Sequence, residues 1–276
     1  MLSAILDLTT PILLAALGGL FTELGGVLNI ALEGLMLVGA FTAILITGLT
    51  GSTFLGTLGA ALSGVLLAYT FGYITLRFRA NIFITGLGAN LFALGITNYL
   101  SSIIFGTKGV IHSPDFPSLI RIGDYNLFIV TALICTILAM WIINKTVFGL
   151  RLRATGYNSS VAIVKVVDSY SIQMKSLLIS GTLSGLGGAA LSLRLGAYVP
   201  NMTAGRGWIA LVAIYLGRKH PVGIIITCLI FAGAEYFSNA AQGIFRISSD
   251  ILLAFPYLIT LTGMIVFSFI NRKSER

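Results

Sequence analysis

The sequence predicts an all-α polytopic membrane protein of about nine transmembrane helices, within a range of eight to ten. Three observations carry this prediction. Of 276 residues, 57% are hydrophobic and only 9% are charged, whereas soluble domains carry roughly 25% charged residues. Apolar runs near the roughly 20 residues needed to cross a bilayer recur along the chain. Those runs are continuous rather than alternating, which excludes a β-barrel. The expected organisation is a single transmembrane domain over 1–276, with a cytoplasmic loop at 145–175.

The first apolar run covers about Pro11–Phe21, where Pro11 suits a helix start or a kink. FTELGGVLNIALEG follows, with Glu23, Asn29 and Glu33 interrupting the apolar pattern beside Gly25–Gly26. A second run spans about Ile30–Leu49. The third runs from about Phe54 to Leu76 and stops at Arg77 and Arg79. The fourth, about Ile82–Phe105, contains Asn90, Thr97 and Asn98, and the fifth covers about Leu127–Ile143.

Beyond the basic loop, a small-residue helix begins near Ser176, with Gly181, Gly185 and Gly188 spaced for close helix contact. A broken stretch, GAYVPNMTAGRG, leads to the short run Trp208–Leu216. The eighth run is about Val222–Ala241 and contains Glu235; the ninth is about Ile251–Ile270. The short first and seventh runs are the ones that half-helical or re-entrant segments would also explain.

The net charge of +8 follows from the positive-inside rule rather than from nucleic-acid binding. With the 145–175 loop inside, Arg77, Arg79, Lys145, Arg151, Arg153, Lys165, Lys175, Arg218, Lys219, Arg272, Lys273 and Arg276 are cytoplasmic. Lys108, Arg121, Arg194, Arg206 and Arg246 then lie outside or near that face, twelve against five of the 17 cations. This places the N-terminus outside and the C-terminus in the cytoplasm, as an odd number of spans requires. The N-terminus has no Lys or Arg before its apolar run, which argues against a signal peptide.

No catalytic constellation stands out. The chain has no GxxxxGK[ST] phosphate loop. His112 and His220 fall on opposite faces, so no metal site is expected, and Cys135 and Cys228 lie in apolar runs.

Glu23, Glu33 and Glu235 fall at or within membrane depth, where an acid costs about 2.5–3.5 kcal/mol on insertion scales. Two readings fit them: lining of a pathway or proton coupling, and interface positions satisfied by amides around Gly25–Gly26 or by Asn29. Asn29 and Glu33, four apart, are spaced for a local pair on one helix face. Asn90 and Thr97, seven apart, give the fourth run a polar edge together with Asn98. That edge suits a water-filled route for an uncharged polar solute, or interhelical contacts worth roughly 0.6 kcal/mol each.

Several stretches resemble the permease subunits of one group of bacterial ABC importers, those for branched-chain amino acids, simple sugars and nucleosides. They are LFTELGGVLNIALEGLMLVGAF, ITGLGANLFALGITNYL, GLRLRATGYNSSVA at 149–162, LLISGTLSGLGGAALSL at 177–193, GRGWIALVAIYLGRKHPVG at 205–223, and FAGAEYF with Glu235. The resemblance covers most of the chain in order and is nearest to the nucleoside branch, served by lipoprotein receptors of the basic-membrane-protein type. It implies inverted repeats formed by the first and last four spans about the fifth, without the extra N-terminal helix of ten-span relatives.

The resemblance also implies a second permease, a copy or a paralogue. Two cytoplasmic ATP-binding subunits holding ATP and Mg, and an external substrate-binding lipoprotein, complete the assembly. This chain itself then binds no cofactor and is not an enzyme. The loop residues Gly149, Arg151, Arg153, Ala154, Gly156, Asn158, Ala162 and Asp168 become the expected contact with the ATPase. Arg151 and Arg153 suit either acids on that motor or anionic lipid headgroups. The loop departs from the family at VVD (166–168), where Gly-Ile is common, and at Ser159, where proline is common. Ribose-like sugars and branched-chain amino acids remain alternative substrates, and a proton-coupled secondary transporter is the alternative from another class.

Large charged residues at Gly156 and Ala162 are expected to uncouple transport without loss of membrane insertion. Unchanged ATP-dependent uptake in both variants would contradict the coupling role of the loop.

Overall fold

Interrupted helices, rather than nine uniform rods, position the functional elements of this chain. The computed structural model describes residues 1–107, 109–112, 121–122, 125–157 and 168–244. Among the described residues, seven helices are long and apolar enough to cross a membrane, and one further apolar helix is short. The ninth predicted run, about Ile251–Ile270, lies outside the described residues.

Helix α1 covers Leu2–Leu24 and is a full-length span, longer than the run read from the sequence. Its N-terminal half is masked in the sequence by polar residues. Thr9 and Thr10 turn their hydroxyls back onto the carbonyls of Ile5 and Leu6, at 2.7 and 2.8 Å, and so fit an apolar helix. Pro11 lies inside α1 and offers no N–H to the carbonyl of Asp7 four residues earlier.

Helix α2 runs from Leu32 to Thr50 and ends on Gly51 in the left-handed conformation. Helix α3, Thr53–Gly72, is capped by Ser52 and closes in a π-helical turn at Tyr73–Arg77. Helix α4, Ile82–Phe105, is capped by the Asn81 side chain, which accepts from the amides of Phe83 and Ile84. Helix α5, Leu127–Lys145, passes through a corner at Thr146 into α6, Val147–Tyr157. The long helix α7 covers Ser169–Leu195. The short helix α8, Arg206–Leu216, and then α9, Pro221–Ile244, follow.

Two small antiparallel pairings join the ends of these rods. Strand β1, Ile111–His112, pairs with β4, Ala197–Tyr198, and β2, Arg121–Ile122, pairs with β3, Tyr125–Asn126. Segments of two residues leave no periodicity to read in the sequence.

Helices α1 and α7 lie antiparallel at the centre. Gly18 backs onto Ser180, Gly187 backs onto the Pro11 carbonyl, and Gln173 donates to the Gly25 carbonyl at 3.1 Å. Ion pairs mark the two ends of this pair: Arg194 with Asp7 at 3.6 Å, and Lys219 with Glu23 at 2.8 Å. The sequence places Arg194 and Lys219 on opposite faces, and the structure puts them at opposite ends.

Glycines bring α2 and α3 close against α7. Gly39 meets the backbone of Gly185, Gly64 meets that of Gly181, and Gly188 meets the Met36 carbonyl. In a bilayer, where lipid tails are as apolar as leucine, such backbone contact is a principal source of helix association. Helices α4 and α5, by contrast, expose Leu91, Tyr99, Ile137 and Trp141 to their surroundings.

A Cβ at Gly185 would overlap the Ala60 carbonyl, whereas Gly88 on α4 faces open space. Gly185→Ala is therefore expected to destabilise the detergent-solubilised protein by roughly 1–3 kcal/mol, as overpacking does. Gly88→Ala should be neutral or mildly stabilising. Thermal unfolding monitored by fluorescence-detected gel filtration checks both.

Candidate functional site at the junction of two interrupted helices

Two helices of the chain begin part-way across the membrane rather than at a face. After α1 the chain turns at Gly25–Gly26, with Gly26 at φ +77°, and continues without helix to Ala31 before α2 begins. After α7 it passes through β4 and a turn at 200–205 before α8 begins. Gly205, at φ +83°, forms the left-handed entry to α8.

The depth of these starts follows from α1. Helix α8 runs alongside and in the same direction, with Ile214 against Gly19 and Lys219 against Glu23. Arg206 is eight residues before Ile214, so α8 starts about 12 Å from the level of Gly19, near the middle of the roughly 34 Å length of α1. Helix α2 starts at the same depth, because Glu33 in its first turn touches the first turn of α8. From there α2 runs toward the Asp7–Arg194 end and α8 toward the Glu23–Lys219 end. Two helix N-termini thus meet head to head, each carrying the partial positive charge of its dipole.

Glu33 joins them. Its carboxylate accepts from the amide of Gly205 at 2.9 Å and from that of Gly207 at 2.7 Å. The remaining amides of this turn bond to backbone: Arg206 to the Thr203 carbonyl and Trp208 to the Gly205 carbonyl. An aliphatic residue at position 33 would leave two donors of α8 without partners where water is scarce.

Asn90 supports the start of α2 from α4. Its side-chain oxygen accepts from Gly34 N–H at 2.8 Å, and its amide donates to the Ile30 carbonyl at 2.9 Å. One side chain thereby completes backbone groups on both sides of the start of α2. Asn29 works within the break: its side chain donates to the Ser180 hydroxyl at 2.9 Å and accepts from Ala31 N–H at 3.1 Å.

The expected Asn29–Glu33 pair is absent, a correction with a clear cause. Asn29 precedes the helix, so the two side chains do not share a helical face, and each is drawn to a different neighbour. Only a helix continuous through residues 29–33 would pair them, and α2 begins at Leu32.

Glu235 is paired with Arg206, whose guanidinium also donates to the Met202 carbonyl at 3.0 Å. Among the described residues, the Thr203 hydroxyl and Arg206 Nε are buried without a hydrogen-bond partner. The sequence puts Arg206 outside or near the external face and gives no sign of its pairing with Glu235. Thr97 is buried, and its hydroxyl bonds back to the Ala93 carbonyl at 2.8 Å. The side-chain oxygen of Asn98 is buried without a hydrogen-bond partner. Of the polar edge read on the fourth run, Asn90 and Thr97 are therefore engaged with backbone.

At the Glu23–Lys219 end, α6 turns Gly149, Leu152 and Thr155 inward and exposes Arg151, Arg153 and Ala154. Arg151 and Arg153 form no ion pair among the described residues. Gly156 presses on the α1–α2 corner: a Cβ there would overlap the Leu24 carbonyl, and Gly26 lies just beyond it. A large charged residue at Gly156 would therefore disturb packing as well as any docking surface, which the sequence alone did not reveal. Asn158 and Ala162 lie outside the described residues.

Asp168 caps α7, accepting from the Ser171 hydroxyl at 2.6 Å and its amide at 3.3 Å. Those bonds, the hydroxyl first, hold its carboxyl below the usual carboxylate range. The departure at VVD thus ends in a helix cap.

Comparison with known proteins matches this architecture. A family model described as "Branched-chain amino acid transport system / permease component" matches residues 1–267. The guanosine ABC transporter permease protein NupQ of Bacillus subtilis is 32% identical, over 95% of this chain and 91% of that protein. The nucleoside ABC transporter permease protein NupC of Lactococcus lactis is 28% identical, over 94% and 89%. A putative glucose ABC transporter permease protein, TsgC13 of Haloferax volcanii, is 28% identical over 88% and 78%. Among solved structures, PsaBC from Streptococcus pneumoniae in complex with Fab aligns at a TM-score of 0.58 and 13% identity, covering 95% of this chain and 90% of that one. That likeness shows a common fold.

Replacing Asn90 with alanine removes both supports of the α2 break at once. The expected loss is roughly 1–3 kcal/mol, the cost of leaving such groups unsatisfied. Alanine at the exposed Asn239 should have little effect. The two melting curves in detergent decide the point.

Proposed function

Because the chain belongs to the permease-component family of branched-chain amino acid transport systems, we propose that it is the membrane subunit of an ATP-driven importer that carries nucleosides. It works as a multi-pass protein of the bacterial cytoplasmic membrane. The observation that carries this reading is the similarity, over nearly the whole chain, to permeases named for guanosine and nucleosides. A similarity of that extent leaves no room for a separate catalytic domain in the aligned length.

The arrangement at the junction supports an uncharged solute. Glu33 occupies the positive ends of both interrupted spans, and Arg206 is neutralised by Glu235. The central acids therefore have protein partners, which favours ATP over proton coupling as the driving force. The chain has no phosphate-binding loop, so ATP and Mg belong to two separate cytoplasmic subunits. A second permease and an external lipoprotein receptor complete the assembly. The exposed edge of α6, with Arg151 and Arg153, faces the motor; motor closure tilts the helices and switches access to a central route.

A monosaccharide is the second reading, favoured by the similarity to the glucose permease.

In vesicles holding the assembled complex and internal ATP, labelled guanosine uptake should persist after the proton gradient is collapsed and stop when ATP is withheld. Excess unlabelled nucleosides should compete, and ribose, glucose or leucine should not. Uptake that follows the proton gradient instead would exclude the ATP-driven reading.

A further inference from the structure

The geometry points to Glu33 as a positioning residue for transport: its carboxylate fastens α2 to α8, so that both interrupted spans carry motion of the cytoplasmic corner as one strut. This rests on the reading of the chain as a permease driven by a separate ATPase.

The first observation is connectivity. Gly156 of α6 packs on the Leu24 carbonyl and Gly26, so a displacement of the cytoplasmic helix is delivered to the α1–α2 corner. From that corner, seven residues lead through Asn29 to the start of α2. There the covalent path continues away from α8, and Glu33 spans the head-to-head junction directly by its bonds to the amides of Gly205 and Gly207. A shift of α2 without that link would slide past α8 rather than move it.

The second observation is chemical. Both carboxylate oxygens of Glu33 accept from backbone amides at the start of α8, those of Gly205 and Gly207. A carboxylate held on both oxygens in that way is a good fixed contact. Glutamine keeps the length but presents an NH2 group to one of the two donors. Aspartate keeps the charge but is one methylene short.

The third observation is the contrast with Glu235. It meets a side chain, Arg206, which can follow it by rotation. Glu33 meets backbone of α8, which can follow only if the helix itself moves. Force transmission therefore belongs to Glu33.

The test uses the complete transporter in proteoliposomes, with its receptor and ATPase, comparing wild type, Glu33→Gln and Glu33→Asp. Guanosine uptake by Glu33→Gln should fall about tenfold or more, as expected for loss of a charge-assisted contact. Receptor-stimulated ATP hydrolysis should stay within about twofold of wild type, and so should the guanosine–receptor concentration giving half-maximal uptake. Glu33→Asp should recover part of the uptake.

Equal uptake and hydrolysis in Glu33→Gln and wild type would overturn the proposal. So would a parallel loss of hydrolysis and uptake, or failure of both variants to assemble, since each indicates only a structural tie. A wild-type dependence on external pH that Glu33→Gln abolishes would overturn it as well, by making Glu33 a proton carrier. Loss of ATP dependence in the wild type itself would instead defeat the underlying reading, so the two failures are distinguishable.

Discussion

A helix that stops inside a bilayer exposes amides and carbonyls that no water can satisfy, and each such group costs several kcal/mol unless protein replaces the water. The structure depends on how this is met at one place, where α2 and α8 begin head to head. Glu33 supplies two acceptors to α8, Asn90 brackets the start of α2, and Asn29 closes the break from within. These three side chains permit α2 and α8 to begin near mid-depth. The irregular backbone that results is the kind found in membrane proteins where it lines a cavity or is covered by protein.

Around this junction the molecule divides into a tightly packed part and a looser one. Helices α1, α2, α3 and α7 meet through glycine backbones, so they offer little room for relative sliding. Packed interfaces of this type tend to move as units rather than deform continuously. Helix α4 touches the packed part at Asn90 and Gly86 but leaves much of its surface exposed. The exposed surface includes Gly88 and Gly95, where nothing approaches.

The corner at the Glu23–Lys219 end connects the packed part to its outside. Helix α6 buries Gly149, Leu152 and Thr155 and keeps two arginines in solvent. Its Gly156 touches the point where α1 becomes the first interrupted span. A basic surface on one side and a break on the other is an arrangement suited to passing mechanical input inward. It also explains why a glycine is needed at that position irrespective of any partner.

Much of the architecture was legible in the chain itself. Composition and run length decide a polytopic helical protein, since 57% of the residues are hydrophobic and only 9% charged. The resemblance of motifs pointed to a permease, and the comparisons agree. Other features had no local signal. Asn29 and Glu33 are four residues apart, which reads as a pair, yet α2 begins only at Leu32, so Asn29 lies in the break before it and each side chain goes to a distant partner. Glu33 to Gly205 spans 172 residues and Arg206 to Glu235 joins two helices. Local periodicity ranks neighbours on one helix; it carries no information about which helix ends meet. Sequence alone thus determined that buried acids need partners, and only the tertiary structure decided which, because helix termini that far apart in the chain are brought together by packing alone.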